Sequence, residues 1–148
     1  MTTLVKGFKF RYYPDQAQQV LLGRTFGCTR YVFNYCLDKT RSDYEAYKAN
    51  PIRLKPQANY NEFSRQLTAL KASSDHIWLN EVSSTALQQS LRRLGVAFTA
   101  FFSKSRKGKS GYPNFRSKYR RQSITLTTDG FRVKDGKVYI AKCSTPLN

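Results

Sequence analysis

The chain has 148 residues, 40% of them apolar and 14% aromatic, enough for one ordinary folded domain with a real core. Its 26 Lys and Arg face only 9 Asp and Glu, and the formal charge of +17 makes the folded object repel itself unless a polyanion neutralises it. No apolar run reaches the roughly 18 residues of a membrane span, so nucleic acid is a better partner than a membrane.

Residues 3–13, TLVKGFKFRYY, alternate apolar and cationic side chains across Phe8, Lys9, Phe10, Arg11 and Tyr12, which predicts a strand with one buried and one basic face. Pro14 ends it. Asp15 caps a helix to about Arg24, with Val20 and Leu21 inward, and Gly27 breaks or bends the path. A second helix is predicted from Cys28 to Ala49, with Cys28, Val32, Tyr35 and Cys36 on one face and Phe33, Leu37, Tyr44 and Tyr47 beside it. Residues 50–58 hold two prolines and read as a loop.

Asn59 followed by Glu62 resembles a capping box and opens a helix with the stripe Phe63, Leu67 and Leu70. Ser73-Ser74-Asp75 starts a short turn carrying Ile77, Trp78 and Leu79. A long amphipathic helix follows, capped by Ser83 or Ser84, with Leu87, Leu91, Leu94, Phe98 and Phe101 on one stripe. It delivers the chain into a run from Lys104 to Arg121 that contains no acid. The run carries Lys104, Arg106, Lys107, Lys109, Arg116, Lys118, Arg120 and Arg121, with Tyr112, Phe115 and Tyr119 among them.

The period then changes to two. Ile124 and Leu126, Phe131 and Val133, and Val138 and Ile140 predict three strands, with Asp129-Gly130 and Asp135-Gly136 as the turns. These strands and the N-terminal one leave open edges, which a complete small barrel avoids, so the chain is expected to stop inside a domain. The fold class is α+β, a helical bundle between an N-terminal strand and C-terminal strands.

No catalytic set emerges. All nine acids sit at helix starts, on helix faces or in turns, and none lies on an apolar strand, where a two-metal nuclease would place its first carboxylate. His76, next to Ile77 and Trp78, reads as a packed or surface histidine rather than a general base. Gly108 and Gly111 lack the context of a phosphate-binding loop, and no cofactor motif is present. Cys28, Cys36 and Cys143 are odd in number and widely spaced, which suits reduced cytosolic thiols rather than a disulfide frame or a zinc site. The N-terminus lacks the apolar core of a secretory signal.

A charge run is usually a solvated face, but such faces mix signs. Eight cations without an acid, set among aromatics, favour nucleic acid: cations track phosphates while rings stack on unpaired bases. Lys9 and Arg11 are weaker candidates, since polar-out placement explains them. Tyr60, Ser64, Ser84 and Gln88 lie in the N-terminal halves of two predicted helices, where capping and surface placement account for them.

The stretches KFRYYPDQAQQVLLGRTFGCTRYVFNYCL, RQLTALK, WLNEVSSTALQQSLRRLGVAFTAFF and GYPNFRSKYRRQSITL resemble, in the same order, the OrfB/TnpB transposon-encoded proteins. That resemblance covers essentially the whole chain. It implies an RNA-guided DNA endonuclease family of insertion sequences, related to type V CRISPR effectors, whose N-terminal piece is a helix-turn-helix domain. It also implies an incomplete wedge-type β-barrel built from residues 1–13 and 122–148. A helical recognition lobe would span 14–104 and a basic arm 105–121. The lobe would face a short target-adjacent DNA motif through Tyr60, Ser64, Ser84 and Gln88, and the barrel would grip guide RNA and duplex.

The family's RuvC-type nuclease domain and four-cysteine zinc module would follow residue 148, so its cleavage activity is not carried over and the chain by itself is expected not to be an enzyme. The expected setting is the prokaryotic cytoplasm, in association with the nucleoid. A stand-alone helix-turn-helix regulator and a non-functional transposase remnant are the alternative readings.

Overall fold

The computed structural model describes residues 2–52, 54–103 and 111–147. Three helices, α1 (Gln16–Ala49), α2 (Tyr60–Ala72) and α3 (Ser84–Phe102), form a bundle. A 3-10 helix, Ser74–Glu81, kinked at His76, joins α2 to α3. The strands β1 (Phe131–Lys134) and β2 (Lys137–Ile140) form an antiparallel hairpin in which Phe131 pairs with Ile140 and Lys134 with Lys137.

The core is the meeting line of the three helical stripes. Val32, Cys36 and Leu37 of α1, Phe63 of α2, and Leu87, Leu91, Leu94 and Phe98 of α3 are wholly removed from solvent. Leu79 and Val82 close the end where the 3-10 helix turns back. Ser90 ties α3 to α1 by donating to the Thr29 carbonyl at 3.0 Å.

Helix α1 is one continuous rod of 34 residues, roughly 50 Å long, and does not break at Gly27 as the sequence predicts. A glycine inside a helix costs about 1 kcal/mol relative to alanine. Burial of Thr25, Cys28 and Val32 on either side of it outweighs that. Asp15 caps α1 as expected, within a full capping box: its carboxylate accepts from the Gln18 N–H at 2.8 Å and the Gln18 amide oxygen accepts from the Asp15 N–H at 3.0 Å.

The inward residue of that first turn is Gln18, not Val20, which is 54% exposed. Gln18 is covered by the C-terminal segment, where its amide donates to the Thr145 hydroxyl and the Pro146 carbonyl, both at 2.9 Å. Tyr35 and Phe101, both expected on buried stripes, lie at the rims and are exposed. At α2, Asn59 accepts from the Glu62 N–H at 3.0 Å, but Glu62 turns to Arg65 and Gln66 rather than back to the cap. At α3, neither serine supplies a side-chain cap: Ser83 precedes the helix with its hydroxyl 2.8 Å from that of Thr85.

Residues 2–14 adopt no strand, and Leu4, Val5, Phe8 and Phe10 stand exposed. A strand needs a hydrogen-bonded neighbour, and among the described residues none lies alongside. Ile124 and Leu126 also form no strand, because their segment runs against a helix. Its alternate residues Ser123 and Thr125 accept from Arg93 of α3.

Asp129-Gly130 is a 3-10 turn, not a hairpin turn. Gly130 is needed for space, since a Cβ there would stand 2.2 Å from the Thr85 hydroxyl. The hairpin turn is Asp135-Gly136, with φ of 53° and 72°, the pair of positive angles that a type I′ turn requires. Among the described residues the β structure is this one hairpin.

Leu91→Ala and Phe98→Ala are each expected to lower stability by about 2–5 kcal/mol in chemical denaturation. Two glycine substitutions should have opposite signs. Gly130→Ala should cost about 1–3 kcal/mol by overpacking. Gly27→Ala, where only the Arg30 guanidinium tip stands nearby at 3.8 Å, should stabilise by up to about 1 kcal/mol. A melting temperature raised by Gly130→Ala would contradict the close approach at Thr85.

Candidate nucleic-acid interface

Of the basic run, Lys104, Arg106, Lys107 and Lys109 lie outside the described residues. From Gly111 the chain is docked on the bundle. The Tyr112 ring packs edge-on against Phe98 and Phe101, with centroids 5.5 and 5.2 Å away. Burial raises the Tyr112 hydroxyl above its ordinary pKa, and the charge and hydrogen bond of Arg41 oppose that rise. The Arg41 guanidinium lies 5.4 Å from the Tyr112 centroid and 5.0 Å from that of Phe115.

Four residues on, Asn34 of α1 reads the backbone of Arg116 in both directions. Its Oδ1 accepts from the Arg116 N–H at 2.8 Å and its Nδ2 donates to the Arg116 carbonyl at 3.0 Å. The Arg116 guanidinium then folds back over the Phe33 ring, 4.2 Å from its centroid. Burial, followed by the charge of Arg93, lowers its pKa. Lys118, Tyr119, Arg120 and Arg121 follow on the exposed surface, and Tyr119 is 87% exposed. The Lys118 ammonium sits 5.1 Å from the Tyr119 centroid.

The second group of predicted residues lies on the other flank of α3. Tyr60 opens α2 and Ser64 stands one turn further; Ser84 opens α3 and Gln88 stands one turn further. Arg92, another turn along α3, stacks its guanidinium on the Tyr60 ring at 3.9 Å and so joins the two helices. Ser84, Gln88 and Arg92 share one face of α3 by their spacing of four. Lys9 and Arg11 are exposed in the N-terminal segment.

Sequence reasoning missed Arg92, Arg93, Arg41 and Asn34. The Arg92-Arg93 pair was visible as two cations outside the leucine stripe, whereas nothing local marks Asn34. Three of the nine carboxylates have structural duties. Asp15 caps α1, Asp43 pairs with Lys39 at 3.0 Å, and Glu62 pairs with Arg65. His76 is packed, its Nε2 2.8 Å from the Tyr31 hydroxyl. Burial pushes the Cys36 thiol up to about 12 and raises that of Cys28 as well. All three cysteines are free.

Residues 1–49 match the helix-turn-helix domain model of the OrfB_IS605 family. Over these residues the sequence is of the OrfB/TnpB type. Within the matched stretch the structure has one long helix, and its packing partners α2 and α3 come after it. Over its whole length the chain is 36% identical to a Streptomyces pristinaespiralis protein provisionally named an RNA-guided DNA endonuclease, covering 34% of that protein. It is 30% identical over 77% of its length to InsQ of Escherichia coli K12, which bears the same provisional name, covering 26% of it. The chain thus spans about a third or less of these two relatives. The virulence protein VsdF of Salmonella dublin is 27% identical over 78% of this chain and is covered over 96% of its own length. No described helix is long and apolar enough to cross a membrane.

Asn34→Ala removes both side-chain bonds to Arg116, a local loss of about 1–3 kcal/mol. Hydrogen exchange at the Arg116 amide should accelerate about 10-fold or more, while amides of the α3 core stay protected. Unchanged exchange at Arg116 would mean that Asn34 does not hold the segment.

Proposed function

We propose that this chain is the nucleic-acid-binding N-terminal region of a TnpB-type protein, engaging a DNA duplex and a guide RNA. The observation that carries the proposal is the run 111–121, docked on the bundle by Asn34 and Tyr112 while presenting Lys118, Arg120 and Arg121 without a carboxylate partner among the described residues. Cations in that state exchange small counterions for phosphates. We extend the phosphate-tracking run back through Lys104, Arg106, Lys107 and Lys109, and add Lys9 and Arg11 from the N-terminal segment.

Base reading is assigned to the opposite flank of α3. Gln88 has the amide that pairs with both N6 and N7 of an adenine, and we assign ring and hydroxyl contacts with the same motif to Tyr60, Ser64 and Ser84. The names of two of the relatives, both provisionally RNA-guided DNA endonucleases, support DNA and guide RNA as partners. We regard 14–104 as the recognition lobe, 105–121 as the basic arm, and 1–13 with 122–148 as pieces of a wedge-type barrel, acting in the bacterial cytoplasm on nucleoid DNA. No cleavage chemistry is assigned to these residues.

Binding isotherms at several salt concentrations test the two surfaces separately. Each phosphate contact contributes about 0.7–0.9 to the slope of log K against log salt. Replacing Lys118, Arg120 and Arg121 together with Gln should flatten that slope by about 2–3 units and weaken all sequences alike. Gln88→Ala should leave the slope unchanged and cost about 1–3 kcal/mol on the preferred motif alone. A slope unmoved by the triple substitution would reduce the run to a solvated face and overturn the assignment.

A further inference from the structure

Between α1, α3 and residues 123–125 lies a notch of about 10 Å³, with Arg93 and Arg116 on its walls. Both guanidiniums are held in place. Arg116 rests on Phe33, with its backbone fixed by Asn34. Arg93 donates to the Ser123 hydroxyl at 3.4 Å and to the Thr125 hydroxyl. The ion pairs among the described residues, Lys39–Asp43 and Glu62–Arg65, involve neither arginine. Burial and then the charge of Arg93 disfavour the charge on Arg116, and no carboxylate among the described residues offsets them. Two like charges on the walls of one notch, with no counter-ion among the described residues, are an unfavourable arrangement that a bound anion reverses.

The hydroxyls complete the site. Ser123 and Thr125 accept from Arg93, so each keeps a proton to donate, and among the described residues nothing takes it. The notch has room for about one water-sized atom, so an anion enters by a single oxygen and leaves the rest at the mouth. A carboxylate brings two acceptor oxygens. A tetrahedral phosphate brings three or four, which suits two guanidinium forks and two hydroxyls.

We propose that Arg93, Arg116, Ser123 and Thr125 form a seat for a single phosphate oxyanion. The identification of its source as a phosphodiester of a bound strand rests on the function proposed above; free inorganic phosphate offers the same chemistry. Arg93, held by Ser123 and Thr125, is then a specific grip on one phosphate, unlike the cations that track a backbone.

The test begins without nucleic acid. The full chain is melted in sodium phosphate and in sodium chloride at equal ionic strength. Phosphate at roughly tenfold its dissociation constant should raise the wild-type Tm by about 3 °C or more over chloride. Arg93→Gln and Arg116→Gln should lose that gain, and Lys48→Gln, at the far end of α1, should keep it. Each gain is the difference between one variant's own melts in the two salts, so the lost contact of Arg116 with Phe33 cancels; a purely structural role lowers Tm equally in both salts and leaves the gain intact. Arg93→Lys, which retains charge but not the fork, guards against a misfolded glutamine variant and should lose most of the gain.

A second arm titrates labelled 12-nucleotide RNA and duplex DNA. Arg93→Gln and Arg116→Gln should each weaken binding about 10-fold if a strand phosphate occupies the seat. A phosphate gain with unchanged strand affinity supports the seat and assigns it to the free anion. A gain in a chain that binds neither RNA nor DNA supports the seat while refuting the nucleic-acid function. No phosphate-specific gain in wild type, or a gain untouched by both Arg93 and Arg116 substitutions, overturns the seat whatever the strands do.

Discussion

The apolar stripe of α3 fixes the azimuth of every other residue on that helix. Leu87, Leu91, Leu94 and Phe98 are fully buried against α1 and α2, and a rotation of α3 would bring several of them into water at about 2 kcal/mol each. With the helix so locked, Arg92 and Arg93 fall about 100° apart just outside the stripe and serve opposite flanks. Arg92 meets Tyr60 of α2, beside Gln88, while Arg93 meets Ser123 and Thr125 beside the basic run. The two candidate surfaces are therefore related through one rigid element, and their separation is set by packing rather than by loops.

The charge excess is managed by rings more than by carboxylates. Arg41 lies over Tyr112 and Phe115, Arg92 over Tyr60, Arg116 over Phe33 and Arg132 over Tyr139. A cation over an aromatic face gains about 0.5–2 kcal/mol and keeps its net charge, whereas an ion pair would cancel it. Rings thus position guanidiniums without neutralising them. That combination allows +17 to be carried by a folded chain and still be offered to a polyanion.

What the sequence made legible follows from how local each signal is. The stripe of α2, that of α3 as far as Phe98, the Asp15 cap and the Asp135-Gly136 turn depend on residues within a few positions, and each appears where its pattern predicts. Gly27 misled because its cost of about 1 kcal/mol was weighed without the tertiary burial on either side. Gln18 and Asn34 were invisible because their partners, Thr145 and Arg116, lie 127 and 82 residues away. The alternation at 123–126 was a genuine two-fold signal, but its polar side faces a helix arginine instead of a strand. Period two identifies an extended chain with distinct faces, not what lies beside it.

The aromatics of the basic run divide the same way. Read as composition, Tyr112, Phe115 and Tyr119 are three rings offered to bases. In the fold, Tyr112 is wedged against Phe98 and Phe101 and shares Arg41 with Phe115, so both serve first to seat the run on the bundle. Only Tyr119 stands clear of the helices, and its neighbours Lys118, Arg120 and Arg121 stand clear with it. Under the proposed function, a run anchored at one end by rings and a backbone-reading asparagine, and exposed at the other with four consecutive cationic or aromatic residues, meets a polymer along its length. Rigidity at the anchor limits the entropy lost on binding, and the exposed end keeps the reach that successive phosphates require.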